Sequence, residues 1–166
     1  YSESGLNHEC GVLGIYGVPA AANLAYYGLH ALQHRGQQGC GIVSVDSQGE
    51  FHRFKGDGLV TEVFNEDKIS KLQGSMAIGH VRYSNAKCKG TENIQPFLFH
   101  HNSGDFAMAN NGQIANYVQL RNELEDRGSL FQSSSDAEVI AHLIKKQGTD
   151  KTLPRIYSIK SALNMV

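Results

Sequence analysis

Cysteine is scarce in this chain of 166 residues, which has three, at positions 10, 40 and 88. The odd count and the absence of any CxxC spacing argue against a disulfide framework and against a metal site built within the chain, and they fit a reducing compartment, so a cytoplasmic protein is expected. Charge of one sign is lacking too. Fifteen basic and sixteen acidic residues leave a formal charge of −1, so no polycationic surface points to a nucleic acid or an anionic membrane. No apolar run approaches the length of a membrane span, and the first nine residues have neither the basic start nor the apolar core of a signal peptide. A Gly-rich phosphate cradle with an adjoining acidic pair is also missing, as are internal repeats and low-complexity tracts. These absences leave small molecules or proteins as partners for a chain of single-domain size. The chain opens on Tyr1 rather than Met, so further sequence is expected upstream.

The patterning that is present predicts strands followed by helices. Residues 11–17 form a short apolar run punctuated by glycine, 41–45 alternate loosely, and 50–55 set Phe51 and Phe54 among polar residues, with Asp46, Ser47, Gln48 and Gly49 as a hairpin turn. Leu24, Tyr27, Gly28, Ala31 and Leu32 recur at helical spacing over 20–34, ahead of Gly36. Residues 76–83, 96–99 and 105–109 read as further strands. Three helices close the chain. Asn116 caps the first, with Gly128 as its stop. Ser135 and Glu138 form a capping box for the second, which Gly148 ends. Pro154 opens the third, whose apolar face is expected to be Ile156, Ile159, Leu163 and Val166. That face is still repeating at the last residue, so a domain truncated at its C-terminus is expected.

Chemistry-bearing residues fall in separate segments. Cys10-Gly11 opens the first apolar run. Taken alone, this is a small buried cysteine starting a strand. Cleavage before Cys10 would instead put a free α-amine, with an ordinary pKa of ~7.7–8.0, on the residue that carries the thiol, where it can take the thiol proton without a histidine. Arg82 offers a planar fork of donors matched to a carboxylate. Asp136 matches an ammonium group, or else favours the helix that follows it. Asn111-Gly112 supplies a side-chain amide and an open backbone N–H suited to an oxyanion, or else a turn after a strand. Arg35 stands beside Gly36 and reads equally as a charge at a helix C-terminus. His80, on a strand near Arg82, reads as a hydrogen-bonded structural histidine rather than half of a Cys-His dyad. Cys40 and Cys88 read as ordinary thiols, with Lys87 and Lys89 favouring incidental oxidation of Cys88.

Five ordered segments, Cys10-Gly11-Val12-Leu13-Gly14, Leu32-Gln33-His34-Arg35-Gly36-Gln37, Gly79-His80-Val81-Arg82-Tyr83, Asn111-Gly112 and Ser134-Ser135-Asp136, together resemble the class II glutamine amidotransferases, members of the N-terminal nucleophile hydrolase superfamily. LQHRGQ, Gly58-Leu59-Val60, Val63-Phe64, GHVRY and Gln95-Pro96-Phe97 narrow the resemblance to the amidophosphoribosyltransferase family, from about Leu6 to the chain end. The resemblance implies an α+β fold, a four-layer αββα sandwich of two antiparallel sheets. It also implies a leader over 1–9 and an incomplete glutamine amidotransferase domain over 10–166. It implies Cys10 as nucleophile, Asn111 and Gly112 as oxyanion hole and Arg35 as electrostatic support, with Arg82, Tyr83, Asn85 and Asp136 binding glutamine. Ammonia would pass to a phosphoribosyltransferase domain outside the chain, where it displaces pyrophosphate from phosphoribosyl pyrophosphate in purine synthesis. Mg2+, and the iron–sulfur cluster often found in relatives with a leader, would lie outside this chain, which needs no cofactor or metal of its own. The whole enzyme would be a homo-oligomer.

Two positions depart from the family pattern. Asn85 stands where a Thr is usual after Arg-Tyr, and Asn110 where a His usually precedes Asn-Gly. They keep open a second reading, an inactive or unprocessed amidotransferase-like module. The glutaminase domain of another class II amidotransferase is a further alternative. LQHRGQ and QPF argue against it, because a Tyr-Arg-Gly or Arg-Gly-Pro-Asp form is expected there in glucosamine-phosphate synthase or asparagine synthetase.

Overall fold

The computed structural model describes residues 10–83, 90–101, 104–148 and 154–166. The expected leader, Asn85 and Cys88 lie outside the described residues. The chain divides into two compact units, Tyr1–Gly112 and Gln113–Val166.

In the first unit, alternating side chains build a four-stranded antiparallel sheet from β1 (Gly11–Tyr16), β2 (Gly39–Val45), β3 (Phe51–Asp57) and β4 (Met76–Arg82), in the order β1-β4-β2-β3. Asp46 closes the predicted hairpin turn by accepting from the Gln48 and Glu50 N–H groups at 2.8 and 3.0 Å. Ala77 and Val81 face one side, packed with helix α1 (Ala21–Ala31), which buries Ala21, Ala22, Ala25 and Leu29. Fully burying a leucine such as Leu29 is worth about 1.5–3 kcal/mol. Gly28 sits inside this helix despite its low helix propensity because a β-carbon there would come within 2.3 Å of the Leu13 side chain on β1.

The helix expected over 20–34 ends at Ala31, and its last turn is a 3-10 turn over Gln33–Arg35. The cause is the Gln33 side chain, whose Nε2 donates to the Gly36 carbonyl while its Oε1 accepts from the Val60 N–H. Val60 begins a short helix, α2 (Val60–Val63), followed by α3 (Glu66–Ser70). Sequence periodicity shows neither, because each is at most five residues long.

A second antiparallel sheet, β5 (Phe97–Phe99) with β6 (Phe106–Met108), stacks Phe99 on Phe106 at 5.1 Å. The Gln95–Pro96 segment leading into β5 lies on the sheet face opposite α1. A β-carbon on Gly41 would meet the Gln95 carbonyl oxygen at 2.4 Å and Pro96 Cδ at 3.0 Å, while Leu29 of α1 presses on Gly79, on the opposite face.

The second unit packs α4 (Tyr117–Glu125), α5 (Ala137–Gln147) and α6 (Arg155–Leu163) around Leu120, Leu124, Val139, Leu143 and Ala162. Three local expectations are corrected. Asn116 makes no side-chain cap; its Nδ2 donates to the Met165 carbonyl at 2.8 Å. The Ser135/Glu138 capping box does not form, because Glu138 reaches past Ser135 to Gln132 and Ser133. The apolar face expected of α6 is turned outward, with Ile156 and Leu163 exposed. The helix buries Ser158 and Ala162, whose small side chains allow close approach to α5.

Candidate active site

Four of the residues singled out converge at one end of β1 and β4. Cys10 precedes β1 and is half-buried. Its Sγ accepts from the Tyr83 N–H at 3.3 Å and lies 3.6 Å from the Tyr83 carbonyl oxygen. Arg35 Nε donates to the Cys10 carbonyl at 3.2 Å. The 3-10 turn that replaces the end of α1 carries Arg35 to this position. Gly36 is required just after it. A β-carbon there would fall 2.5 Å from the Arg82 carbonyl carbon, and the Gln38 N–H reaches the Arg82 carbonyl at 3.1 Å. The motif LQHRGQ therefore shapes the floor of the site through Gln33, Arg35 and Gly36, a role for Gln33 that the spacing of apolar residues does not reveal.

Arg82 is 6% exposed, and its Nη1 donates to the Gly90 carbonyl at 3.0 Å. This bond ties the end of β4 to the start of the 3-10 turn over Thr91–Asn93. The Tyr83 side chain is 40% exposed, and it is the backbone of this residue that touches the sulfur.

Asn111 and Gly112 follow β6 as an exposed turn. A β-carbon on Gly112 would meet nothing closer than Asn110 Oδ1 at 3.8 Å. No packing among the described residues demands glycine there; its φ of 158° lies in the range that disfavours a side chain, and the open space leaves its backbone N–H accessible to a ligand. Gln95 Oε1 accepts from the Asn110 N–H at 2.6 Å and anchors the turn. That tether is a contribution of the Gln95-Pro96-Phe97 motif.

His80 is 1% exposed. The hydrogen-bonded role expected of it is met only in approach: among the described residues neither ring nitrogen completes a hydrogen bond, although the Asn110 backbone faces the ring. Leaving such groups buried and unpaired costs about 1–3 kcal/mol each. Burial pushes its pKa down to about 4; the Asn110 backbone opposes that and the charge of Arg82 adds to it, so the ring is neutral at neutral pH. Cys40 is fully buried, and burial pushes its thiol up to about 12, so it is unreactive near neutral pH.

Asp136 belongs to the second unit. Its side chain does not cap α5; Oδ2 accepts from the Ile114 N–H at 2.8 Å. The loop that carries it is fixed by buried Glu138, which accepts from the Gln132 N–H at 2.9 Å, the Ser133 N–H at 2.8 Å and the Ser133 hydroxyl at 2.6 Å. Arg121 Nη1 donates to the Ser133 carbonyl at 3.0 Å. Burial pushes the Glu138 pKa up, but His142 at 3.7 Å, the Ser133 hydroxyl and the two N–H groups outweigh it and hold it at about 2, against an ordinary value of 4.5. With the folded value lowered, this stabilisation is complete above pH 4.5 and is lost as pH falls through 2. Glu138→Gln is therefore expected to cost about 1–3 kcal/mol at pH 7, measured by urea denaturation, and the gap to the parent should narrow below pH 4.5; a constant gap contradicts the assignment.

The family model described as "Glutamine amidotransferase domain" matches residues 66–159. Amidophosphoribosyltransferase of Bacillus subtilis is 54% identical over 145 residues, covering 87% of this chain and 30% of the relative. The protein of that name from Lacticaseibacillus casei is 48% identical over 167 residues, covering 100% of this chain and 84% of the relative. The chain thus spans about 30% of the length of the Bacillus relative. Among solved structures, the glutamine phosphoribosylpyrophosphate amidotransferase from B. subtilis, complexed with ADP and GMP, matches with TM-score 0.84 at 49% identity, over 93% of this chain and 32% of that one. A structure described as the allosteric regulatory enzyme of purine biosynthesis matches with TM-score 0.86 at 50% identity, with the same coverage.

Proposed function

This chain belongs to the amidophosphoribosyltransferase family, and from that premise we propose that it is the glutamine-hydrolysing part of such an enzyme, with Cys10 as nucleophile. The observation that carries the proposal is the seating of the Cys10 sulfur against the Tyr83 N–H at 3.3 Å, with Arg35 fixing the Cys10 carbonyl. A thiolate keeps that N–H donor, and the Cys10 backbone is held in place by Arg35.

Removal of residues 1–9 frees the Cys10 α-amine, which takes the thiol proton. The sulfur attacks the side-chain amide carbon of glutamine, the C–S bond forms, and the carbonyl oxygen becomes an oxyanion held by the Asn111 side-chain amide and the Gly112 N–H. The protonated α-amine returns its proton to the departing nitrogen, the C–N bond breaks and ammonia leaves. Water then attacks the thioester, releasing glutamate and restoring the thiol. By the family pattern, Arg82 is assigned to the substrate α-carboxylate and Asp136 to the ammonium, with Tyr83 and Asn85 as further glutamine-binding residues. In the whole enzyme the ammonia displaces pyrophosphate from phosphoribosyl pyrophosphate. Mg2+ and any iron–sulfur cluster belong to the part outside this chain, and the enzyme is a cytoplasmic homo-oligomer.

Initial-rate kinetics test the pocket. Arg82→Lys keeps the charge but loses the fork, so the KM for glutamine is expected to rise about tenfold, the equivalent of one charged hydrogen bond, with a smaller change in kcat and a retained melting transition. An unchanged KM removes Arg82 from the carboxylate site.

A further inference from the structure

His80 lies on the same face of β4 as Arg82, two residues before it, and the path from this ring leads to the Asn111 turn. Its cross-strand partner on β2 is Gly41, which has no side chain, and the Gln95 carbonyl fills the space that one would occupy. The side chain of the same Gln95 takes the Asn110 N–H at 2.6 Å. The Asn110 backbone in turn approaches the His80 ring without completing a hydrogen bond, and because its effect is to favour the protonated ring, the group that faces the ring is an acceptor, the carbonyl. That carbonyl shares a peptide plane with the Asn111 N–H. Asn110 is thus gripped at its N–H and faced at its carbonyl by a buried donor that has no other partner among the described residues.

We infer that His80 is a positioning residue for the oxyanion turn: its ring N–H closes onto the Asn110 carbonyl when glutamine occupies the site, fixing the 110–111 peptide and aiming the Asn111 amide and the Gly112 N–H. This rests on the assignment of those two residues as the oxyanion hole. It accounts for an imidazole kept dry and unpaired on the face that carries Arg82, because a donor already satisfied elsewhere has nothing to give on closure. Asn110 contributes only its backbone, so its departure from the family's usual histidine leaves the device intact.

The test uses the processed protein. His80→Leu is expected to lower kcat for glutamine hydrolysis between about tenfold and 100-fold, as misplacement of a reacting group does, with KM within about twofold. His80→Gln restores an N–H donor and recovers most of the loss. An unchanged kcat in His80→Leu, a matching rise in KM, or the absence of recovery in His80→Gln overturns the inference. Should His80→Leu not fold, the wild-type protein still decides. On reaction with the diazoketone analogue of glutamine, one His80 ring N–H resonance moves downfield as a hydrogen bond forms, and unmoved ring resonances overturn the inference. A wild-type protein that neither hydrolyses glutamine nor labels at Cys10 overturns the functional reading and this inference with it, whereas normal wild-type hydrolysis with an unaffected His80→Leu overturns the inference alone.

Discussion

Replacing Cys10 by alanine is expected to abolish glutamine hydrolysis, a loss of at least about 10⁴-fold in kcat, the scale seen when a covalent nucleophile is removed. The fold should tolerate the change. Cys10 is only half-buried, and its sulfur meets the Tyr83 backbone, whose place is kept by the pairing of β1 with β4. No rescue is expected from Cys40, which is buried in the core beneath α1 with its thiol pushed up to about 12. If removal of residues 1–9 is carried out by the same sulfur, the variant should also keep its leader. Release of ammonia and glutamate from glutamine, with an intact mass on the same sample, reads both effects. Hydrolysis retained in Cys10→Ala contradicts the assignment of the nucleophile.

The second large effect is expected at Asn111. Asn111→Ala should lower kcat by about 10²–10³, the usual result of removing one oxyanion-hole donor, with KM for glutamine little changed because the donor acts on charge that develops only in the transition state. Asn111 is exposed, and the turn is tethered through the preceding residue, Asn110 N–H to Gln95 Oε1, so the backbone should survive truncation. The Gly112 N–H remains and accounts for the residual rate. Steady-state kinetics decide the matter, and a kcat within about twofold of the parent would move the oxyanion site elsewhere.

Much of the first unit was legible in the sequence because its strands are read from their own residues. The expected runs at 11–17, 41–45, 50–55 and 76–83 correspond to β1 to β4 with ends displaced by a few residues at most. The pairing order β1-β4-β2-β3 was not legible, since it depends on contacts far apart in sequence. Errors clustered where side chains override local signals. Gln33 diverts the end of α1 into a 3-10 turn, and Glu138 bypasses Ser135 to fix the loop before α5. In α6 the sequence pattern identified an apolar stripe correctly but not its direction, because Ser158 and Ala162 make the close contact within the unit.

The site divides in the same way. Cys10, Arg35, Arg82 and Tyr83 were found through ordered motifs, and the structure brings them together. The tethering roles of Gln33, Gly36 and Gln95 were not found, because a glutamine or glycine acquires such a role only from the backbone brought against it. The choice of the amidophosphoribosyltransferase family over other class II amidotransferases rested on LQHRGQ and QPF. Both stretches hold backbone in place here, Gln33 beneath the nucleophile's neighbour and Gln95 behind the oxyanion turn.

The central claim, a processed Cys10 serving a glutamine site, is tested most directly by the intact mass of the protein after exposure to the diazoketone analogue of glutamine. The account predicts loss of residues 1–9 and a single adduct that maps to Cys10. A folded protein that keeps residues 1–9 and carries no adduct contradicts it and favours an inactive amidotransferase-like module.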